Sequence, residues 1–437
     1  MVQDELLDVL KTGLAVSPAS ETEITIVATE EQALRYTANR IIQNIATDDW
    51  SIWFRVVDRG RVGVAETNDL SVKGLRLAAD QAWTSAQAQP CTVDYRLPGP
   101  EQNCSEMITG DAGDAVSLEE MLAAGLGVLK AAGWAGAGNL SWKTLRIGIA
   151  NTNGICCYHE EPRYAFNCIA SVDTASGYAG RWGHRLHLDE VRQTTQEAIE
   201  WGNRDTRQII LEPGEYEVVL SPYATADLLW LLQYMGFSAR AFLEERSFLI
   251  GHLQQLIMAE QISIWDDAAD RRGLYWSFDW EGVPRRKVNI IQKGVALSPV
   301  YDSWTGRLLG RPSTGHAIPA IYFGSGPYPA HLVMEPGGAS VAELLASVEQ
   351  GIYINRFHYT NVVDPRQALA TGMTRDGTYY IRNGKICGKI PNMRFSDGLL
   401  AALSGSVAVG NDIRLVHDGD TGFLVPSLKL GRLRFTS

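Results

Sequence analysis

Long apolar runs, paired cysteines and a surplus of positive charge are all missing from this 437-residue sequence, and each absence removes a class of function. The longest apolar stretch, near Leu228 to Phe237, is interrupted by Gln233 and falls well short of the ~20 residues needed to cross a bilayer, so no transmembrane segment is expected. The N-terminus, Met1-Val-Gln-Asp-Glu-Leu-Leu-Asp8, lacks the basic start and apolar core of a secretory signal, which points to a cytoplasmic location. Cysteines at 91, 104, 156, 157, 168 and 387 form no Cys-x-x-Cys pair and read as reduced structural thiols. With 39 Lys and Arg against 50 Asp and Glu the net charge is -11, and the basic cluster that stands out is only the short Arg285-Arg286-Lys287. Direct nucleic-acid binding is therefore disfavoured, since that affinity comes largely from neutralising phosphates.

What is present describes a large globular chain. A 45% hydrophobic content over this length exceeds what one core needs, so two or three domains are expected. Apolar and polar residues alternate over Glu23 to Ala28, Trp50 to Val57 and Arg61 to Glu66, with Asp58-Arg-Gly60 as a turn, which predicts strands and a hairpin. Leu70, Leu75, Leu77, Ala78 and Trp83 then recur at helical spacing up to about Ala88. A second module opens with the capping pattern Ser117-Leu-Glu-Glu120 and a helix to about Ala132. Strands over Thr144 to Ala150 and Ala165 to Val172 follow, joined through Asn153-Gly154, and a helix over Leu188 to Trp201 closes the region. From Ile209 short strands alternate with Gly/Pro turns, with helices near Ala224 to Gln233 and Val341 to Glu349. The expected fold class is α+β: an N-terminal α/β sandwich-like region, 1–205, of two small sheet-plus-helix modules (about 1–90 and 110–205), then a mostly β C-terminal domain, 206–437.

Candidate chemistry is sparse. His159-Glu160 is the one His-Glu pair, but Pro162 would break the helix that a zincin motif requires. His184-Arg-Leu-His187 has ligand spacing only on a helix, and Gly180, Trp182 and Gly183 argue for a strand or loop. Ser313 and Thr314 lie close to His316 in a Gly-flanked segment after Arg311, although proximity in sequence does not make a triad. By itself this segment reads as a turn between strands. Glu335 reads as part of a strand-ending turn and Asp266-Asp267 as a solvated pair. Trp265, Trp276, Trp280 and Trp304 could form a peptide-binding surface, with core or interface packing favoured.

Several stretches taken together carry a resemblance. They are Leu211-Glu-Pro-Gly-Glu-Tyr-Glu-Val-Val-Leu-Ser-Pro222; Gly282-Val-Pro284 with Tyr301-Asp302 and Gly310-Arg-Pro-Ser-Thr-Gly315; Leu332-Val-Met-Glu-Pro-Gly337 with Gly351-Ile-Tyr-Ile-Asn-Arg-Phe357; and Ile381-Arg-Asn-Gly384 with Val409-Gly-Asn-Asp412. Glu66-Thr-Asn-Asp-Leu70 and Asn151-Thr-Asn-Gly154 add two turns in the N-terminal part. In this order they resemble the TldD/TldE (PmbA) family, often labelled "modulator of DNA gyrase", over nearly the whole chain. The resemblance implies dimers in which a TldD-like chain supplies a metal and the pair hydrolyses unfolded or leader-type peptides.

TldD-type members carry His-Glu-x-x-x-His on a helix where this chain runs Leu232, Gln233, Tyr234, Met235, Gly236, Phe237. The two His positions hold Leu232 and Phe237, and Gln233 holds that of the base, which an amide cannot serve as a carboxylate does. The family's further Cys ligand would fall between Asp412 and Val425, and no Cys is there. No catalytic residue, metal ligand or cofactor is assigned on this basis. Gly310, Arg311, Ser313, Thr314, Gly315 and His316 correspond to a loop lining the family's peptide cleft, with His316 where Asn is usual. The resemblance thus implies a TldE/PmbA-like, metal-free subunit of a TldD/TldE-type metalloprotease, partnered by a TldD-like metal-bearing chain and binding peptides. The alternatives are a homodimeric peptide-binding scaffold, or an independent hydrolase using Ser313 or Cys387.

Overall fold

A computed structural model describes residues 2–89, 95–100, 105–107, 116–205, 207–405, 407–418 and 421–436, with 105–107 and 418 described by their backbone. Cys91, Cys104 and the rest of residues 90–94 lie outside these residues. The chain is α+β, and its first part begins with α1 (Gln3–Val16), a helix not anticipated from the sequence. Then come β1 (Glu21–Thr37), β2 (Arg40–Asp58), β3 (Arg61–Thr67) and α2 (Val72–Ala88), followed by β4 (Ser105–Met107), α3 (Leu118–Ala132), β5 (Ala135–Asn151), β6 (Cys156–Val172), β7 (Ala175–Gly183) and α4 (Leu188–Gly202). Local signals set the helix starts. The Ser71 side chain accepts from the Gly74 amide at 3.1 Å. Ser117 and Glu120 close a reciprocal capping box, the Glu120 amide on the Ser117 hydroxyl at 3.2 Å and the Ser117 amide on the Glu120 carboxylate at 2.8 Å. A cap of this kind is worth about 1 kcal/mol.

The two modules share one sheet, ordered β3-β2-β1-β5-β6-β4 with β7 also on β6. They join where β1 runs antiparallel to β5, Ile24 opposite Ala150 and Tyr36 opposite Gly138. The expected strands in 23–28 and 50–57 prove to be segments of much longer arms that continue through residues 29–49 to a tight turn at Ala38-Asn39. Those intervening residues mix Leu34, Tyr36, Ile41, Ile42 and Ile45 with long polar stretches and give no sustained alternation to read.

Side chains alternate across a strand, so one face of β1 presents Ile24, Ile26, Leu34 and Tyr36, all buried beneath the four helices. The opposite face presents Glu23, Thr25 and Val27. That side, with Trp53, Leu145, Ile147 and Ile149, is covered by Trp276, Phe278 and Trp280 from the second half of the chain.

The second half starts with β8 (Gly214–Leu220), α5 (Pro222–Gly236), α6 (Ala239–Leu243), β9 (Ile264–Asp266), β10 (Val288–Gln292), β11 (Val295–Ala296), α7 (Ser303–Leu308), β12 (His331–Met334) and α8 (Val341–Ala346). It continues with β13 (Gln350–Asp364), β14 (Leu369–Arg382), β15 (Lys385–Lys389), β16 (Arg394–Gly398), α9 (Leu399–Ser404), β17 (Val407–Val409), β18 (Arg414–Asp418), β19 (Thr421–Val425) and β20 (Leu428–Phe435). One sheet follows the order β11-β10-β9-β12-β19-β18; the other runs β13-β8-β20-β16-β14-β15, and an added β13–β14 pairing brings it back on itself. Between the two sheets lies the largest apolar core, with α5 running through it. Among the described residues no helix is long and apolar enough to cross a membrane.

Candidate functional site

Helix α5 starts at Ser221, whose hydroxyl accepts from the amides of Tyr223 at 3.1 Å and Ala224 at 3.4 Å, with Pro222 at the first helical position where a missing N–H costs nothing. Its sequence is apolar on nearly every face because the core surrounds it. Leu232, Gln233 and Phe237 are all fully buried. Two of these offer no donor atom and Gln233 offers a neutral amide, so the positions do not fit a metal centre of about three protein ligands. Neither amide atom of Gln233 has a hydrogen-bond partner among the described residues. Among the described residues no three His, Cys, Asp or Glu side chains gather closely enough to hold a metal ion.

Tyr234 is the residue of α5 that reaches out. It is 51% exposed, stacks on Trp230 at 5.9 Å, and lines a cavity of about 630 Å³. The turn into α6 adds Ser238, the segment after α6 adds Glu244 and Arg246, and the stretch between β9 and β10 adds Trp276, Trp280 and Arg285. Residues 317–319, 324–326 and 328–330 form the remaining wall up to β12, with Tyr322 and Thr421 also lining it. Trp276 and Trp280 meet edge to face at 4.8 Å. They therefore serve both as packing under the N-terminal sheet and as cavity wall. Trp304 is buried against Phe323, and Trp265 lies under Lys287, whose ammonium is 4.3 Å from its ring.

The loop singled out in the sequence sits behind this wall. Gly310 and Arg311 are exposed, and the Ser313 hydroxyl donates to the Tyr301 carbonyl at 3.3 Å. Thr314 accepts from the Tyr301 amide at 2.7 Å and donates to its carbonyl at 3.0 Å, pinning the loop to the start of α7. Gly315 is buried at φ 73°, and a β-carbon there would lie 2.3 Å from the Pro284 carbonyl oxygen. His316 is fully buried, with Nδ1 2.9 Å from the Thr314 hydroxyl and Nε2 2.9 Å from Asp266 Oδ1. The other Asp266 oxygen accepts from the amides of Ala330 at 2.8 Å and His331 at 2.7 Å.

Asp266 is thus not half of a solvated pair. It is completely buried at the end of β9, while Asp267 is half-buried. Burial alone would raise the Asp266 pKa, but the neighbouring His316, then Arg285 and the His331 amide, hold it below the ordinary carboxylate value. None of the six loop side chains from Gly310 to His316 lines the cavity; Ala317, the next residue, does. Ser313 bonds Tyr301 and the Gly315 amide, not a histidine, so no Ser-His pair forms there.

A buried carboxylate group escaped the sequence reading. Glu23 accepts from Arg55 at 2.7 Å; Glu281 accepts from Tyr95 at 2.6 Å and from the Ser303 amide at 3.1 Å, and lies 3.4 Å from Arg55. Asp279 Oδ1 accepts from the amides of Glu281 and Val283, both at 2.9 Å, and Oδ2 from the cavity residue Ala317 at 2.8 Å. Burial pushes Glu23 up to about 7 despite Arg55, and burial with the Glu281 charge pushes Asp279 up to about 7. Asp302, pushed up by burial and by Glu281 to about 6, belongs to the same group. The polar phase of a strand, where Glu23 lies, normally reads as solvent-facing, which concealed its burial.

The remaining candidates are dispersed. His159 is buried in β6 against Trp276, with a ring separation of 5.8 Å, and no helix surrounds it. His184 lies just past β7, 3.1 Å from the Pro162 carbonyl and 2.9 Å from that of Gly273, and His187 precedes α4. Glu335 is exposed in the turn after β12. Cys156, Cys157, Cys168 and Cys387 are free thiols, with Cys387 half-buried.

Comparison with known proteins places this geometry in context. Residues 213–437 match a model described as the PmbA/TldA metallopeptidase C-terminal domain, and residues 22–86 match the model for domain 1 of the same metallopeptidases. The chain is 24% identical to an uncharacterized protein of Methanocaldococcus jannaschii over 84% of this chain and 86% of that one. It is 22% identical to the metalloprotease PmbA homolog of Haemophilus influenzae over 97% and 95% of the two chains. The crystal structure of TldE from Thermococcus kodakarensis superposes with a TM-score of 0.84 at 18% identity, covering 99% of this chain and 100% of that one, so the two share a fold.

Proposed function

We propose that this chain, which belongs to the PmbA/TldD metallopeptidase family, acts as the subunit of a TldD/TldE-type metalloprotease that holds peptide or unfolded protein while a TldD-like partner supplies the metal. A peptidase-related role follows from the family. The observation that carries the finer reading is the state of α5. Leu232, Gln233 and Phe237 are packed into the core with no ligand among them, while Tyr234 on the same helix opens onto an aromatic cavity. Hydrolysis by metal-bound water requires ligands and a base close to that water, which these side chains do not supply. An aromatic cavity with few polar groups suits peptide side chains. A cytoplasmic setting is part of the same proposal.

An open strand edge favours association with another chain. Residues 40–51 of β2 pair with β1 alone, and Ile41, Ile42 and Ile45 are exposed along them. A homodimeric peptide-binding scaffold would use this edge as well, so it stands as the second reading.

The test is peptide hydrolysis together with elemental analysis, on this chain alone and mixed with a TldD-like chain from the same organism. The expected result is activity only in the mixture, with the metal in the partner. Hydrolysis by this chain alone would overturn the proposal; a stable homodimer that ignores every TldD-like chain would favour the scaffold.

A further inference from the structure

The cavity beside Tyr234 is positively charged within an acidic chain. Its charged lining consists of Glu244, Arg246 and Arg285, against a net charge of -11 for the whole sequence. Glu244 is already neutralised, accepting from Arg240 at 2.7 Å and from Arg246 at 2.8 Å. Arg285 has no such partner: among the described residues no carboxylate lies within ion-pair distance of it. Its Nε donates to the Phe278 carbonyl at 3.0 Å and its Nη1 to the Gly315 carbonyl at 3.3 Å, which fixes the plane of the guanidinium 5.0 Å from the Trp276 ring.

A guanidinium offers five N–H donors in a rigid fork, and those on Nη2 meet no acceptor among the described residues. The carboxyl groups that act on it electrostatically, Asp279 and Asp266, are already used on backbone amides and His316. Arg285 is half-buried, and the burial of its guanidinium draws its pKa below the ordinary value in spite of them, as for a cation partly stripped of water without a counter-ion. Such a charge is costly unless something pairs with it. Trp276, Trp280, Ile318 and Pro319 give the space next to it an apolar wall.

We propose that this cavity receives the carboxylate of a peptide ligand on Arg285, with the adjoining apolar side chain of that peptide packed against Trp276 and Trp280. The inference rests on the peptide-binding reading above and narrows it to ligands that carry a carboxylate. A planar fork pairs with a carboxylate through two parallel N–H···O bonds, which a neutral amide cannot reproduce. The carboxylate comes from a C-terminus or from an Asp or Glu side chain. The chemistry is the same for both, so peptides can separate them.

The experiment is titration of the full chain, followed by tryptophan fluorescence and calorimetry, with three peptides: acetyl-Ala-Ala-Phe as the free acid, the same peptide as its C-terminal amide, and acetyl-Glu-Ala-Phe amide. The free acid is expected to bind at least about tenfold tighter than the amide, a difference of about 1.4 kcal/mol. Tighter binding of the Glu-containing amide would instead assign the carboxylate to a side chain. Arg285→Gln should bring all three peptides to equal affinity. Because the comparison of acid with amide is made on the unaltered chain, it stands even if that variant folds poorly. Equal affinity for all three peptides on the unaltered chain would overturn the carboxylate site and leave the peptide-binding subunit standing. Binding of none of them would also overturn it, while hydrolysis by the mixed chains would decide separately on the subunit role.

Discussion

Replacing Gln233 by Met should make this protein more stable, because the carboxamide it removes is buried with no hydrogen-bond partner among the described residues. Gln233 is fully buried among the apolar residues around α5, and among the described residues neither its oxygen nor its nitrogen has a hydrogen-bond partner. Burying an amide without compensation costs about 1–3 kcal/mol by mutational comparison. Met is also unbranched, fills a similar volume, and differs little in helix propensity. The substitution therefore isolates the amide, and about 2 kcal/mol should be recovered. At about 2–4 °C per kcal/mol for a cooperative unit of about 150–250 residues, this gives a rise in Tm of about 4–8 °C by differential scanning calorimetry. An unchanged or lower Tm would refute the reasoning, since it would mean that the amide is hydrogen-bonded in solution. If Gln233 is kept for function, Gln233→Met should also lower peptide hydrolysis in the mixed complex while raising stability, the usual exchange at a site held under strain.

Two further predictions follow from burial. Burial raises the Glu23 pKa from 4.5 to about 7, so between those values the folded chain keeps a proton that the unfolded chain releases. Its contribution to stability is full at low pH and is lost as pH rises through that window, by on the order of 3 kcal/mol. Asp279 and Asp302, also raised, act in the same direction. Glu23→Gln should therefore flatten the fall in urea midpoint between about pH 4.5 and about pH 7.5, and parallel curves for the variant and the unaltered chain would count against it. At the loop, Gly315→Ala should lose more stability than Gly310→Ala. Both residues have positive φ, 73° and 64°, but the new β-carbon meets the Pro284 backbone at the first and open space at the second. Gly310→Ala should cost about 1 kcal/mol and Gly315→Ala clearly more, read from thermal unfolding; equal losses would contradict the packing described.

What could be read from the sequence was local. Ser117 with Glu120 predicts a helix start because the capping bonds span three residues, and Asn153-Gly154 predicts a reversal because the turn is closed by its own backbone. The family resemblance extended that reading to the α+β architecture, which the fold bears out. The arms of β1 and β2 were visible only in part, because residues 29–49 show no sustained alternation and are ordered as strand by pairing with each other and with β5.

Burial of charge was invisible for the same physical reason. Asp266 beside Asp267 looks like an ordinary solvated pair. It is a buried acceptor because His316 and the amides of Ala330 and His331, 50, 64 and 65 residues further along the chain, converge on it. The loop from Gly310 to Gly315 was noticed for its own residues, yet folding places it behind the cavity wall, and Arg285 appeared only as part of a short basic run. By itself the sequence determined the identity of each side chain, including Leu232, Gln233 and Phe237, and the short-range bonds of helix caps and turns. Which charges lose water, which find partners and which open onto a cavity was decided only by tertiary structure, because solvation and pairing depend on contacts between residues far apart in the chain.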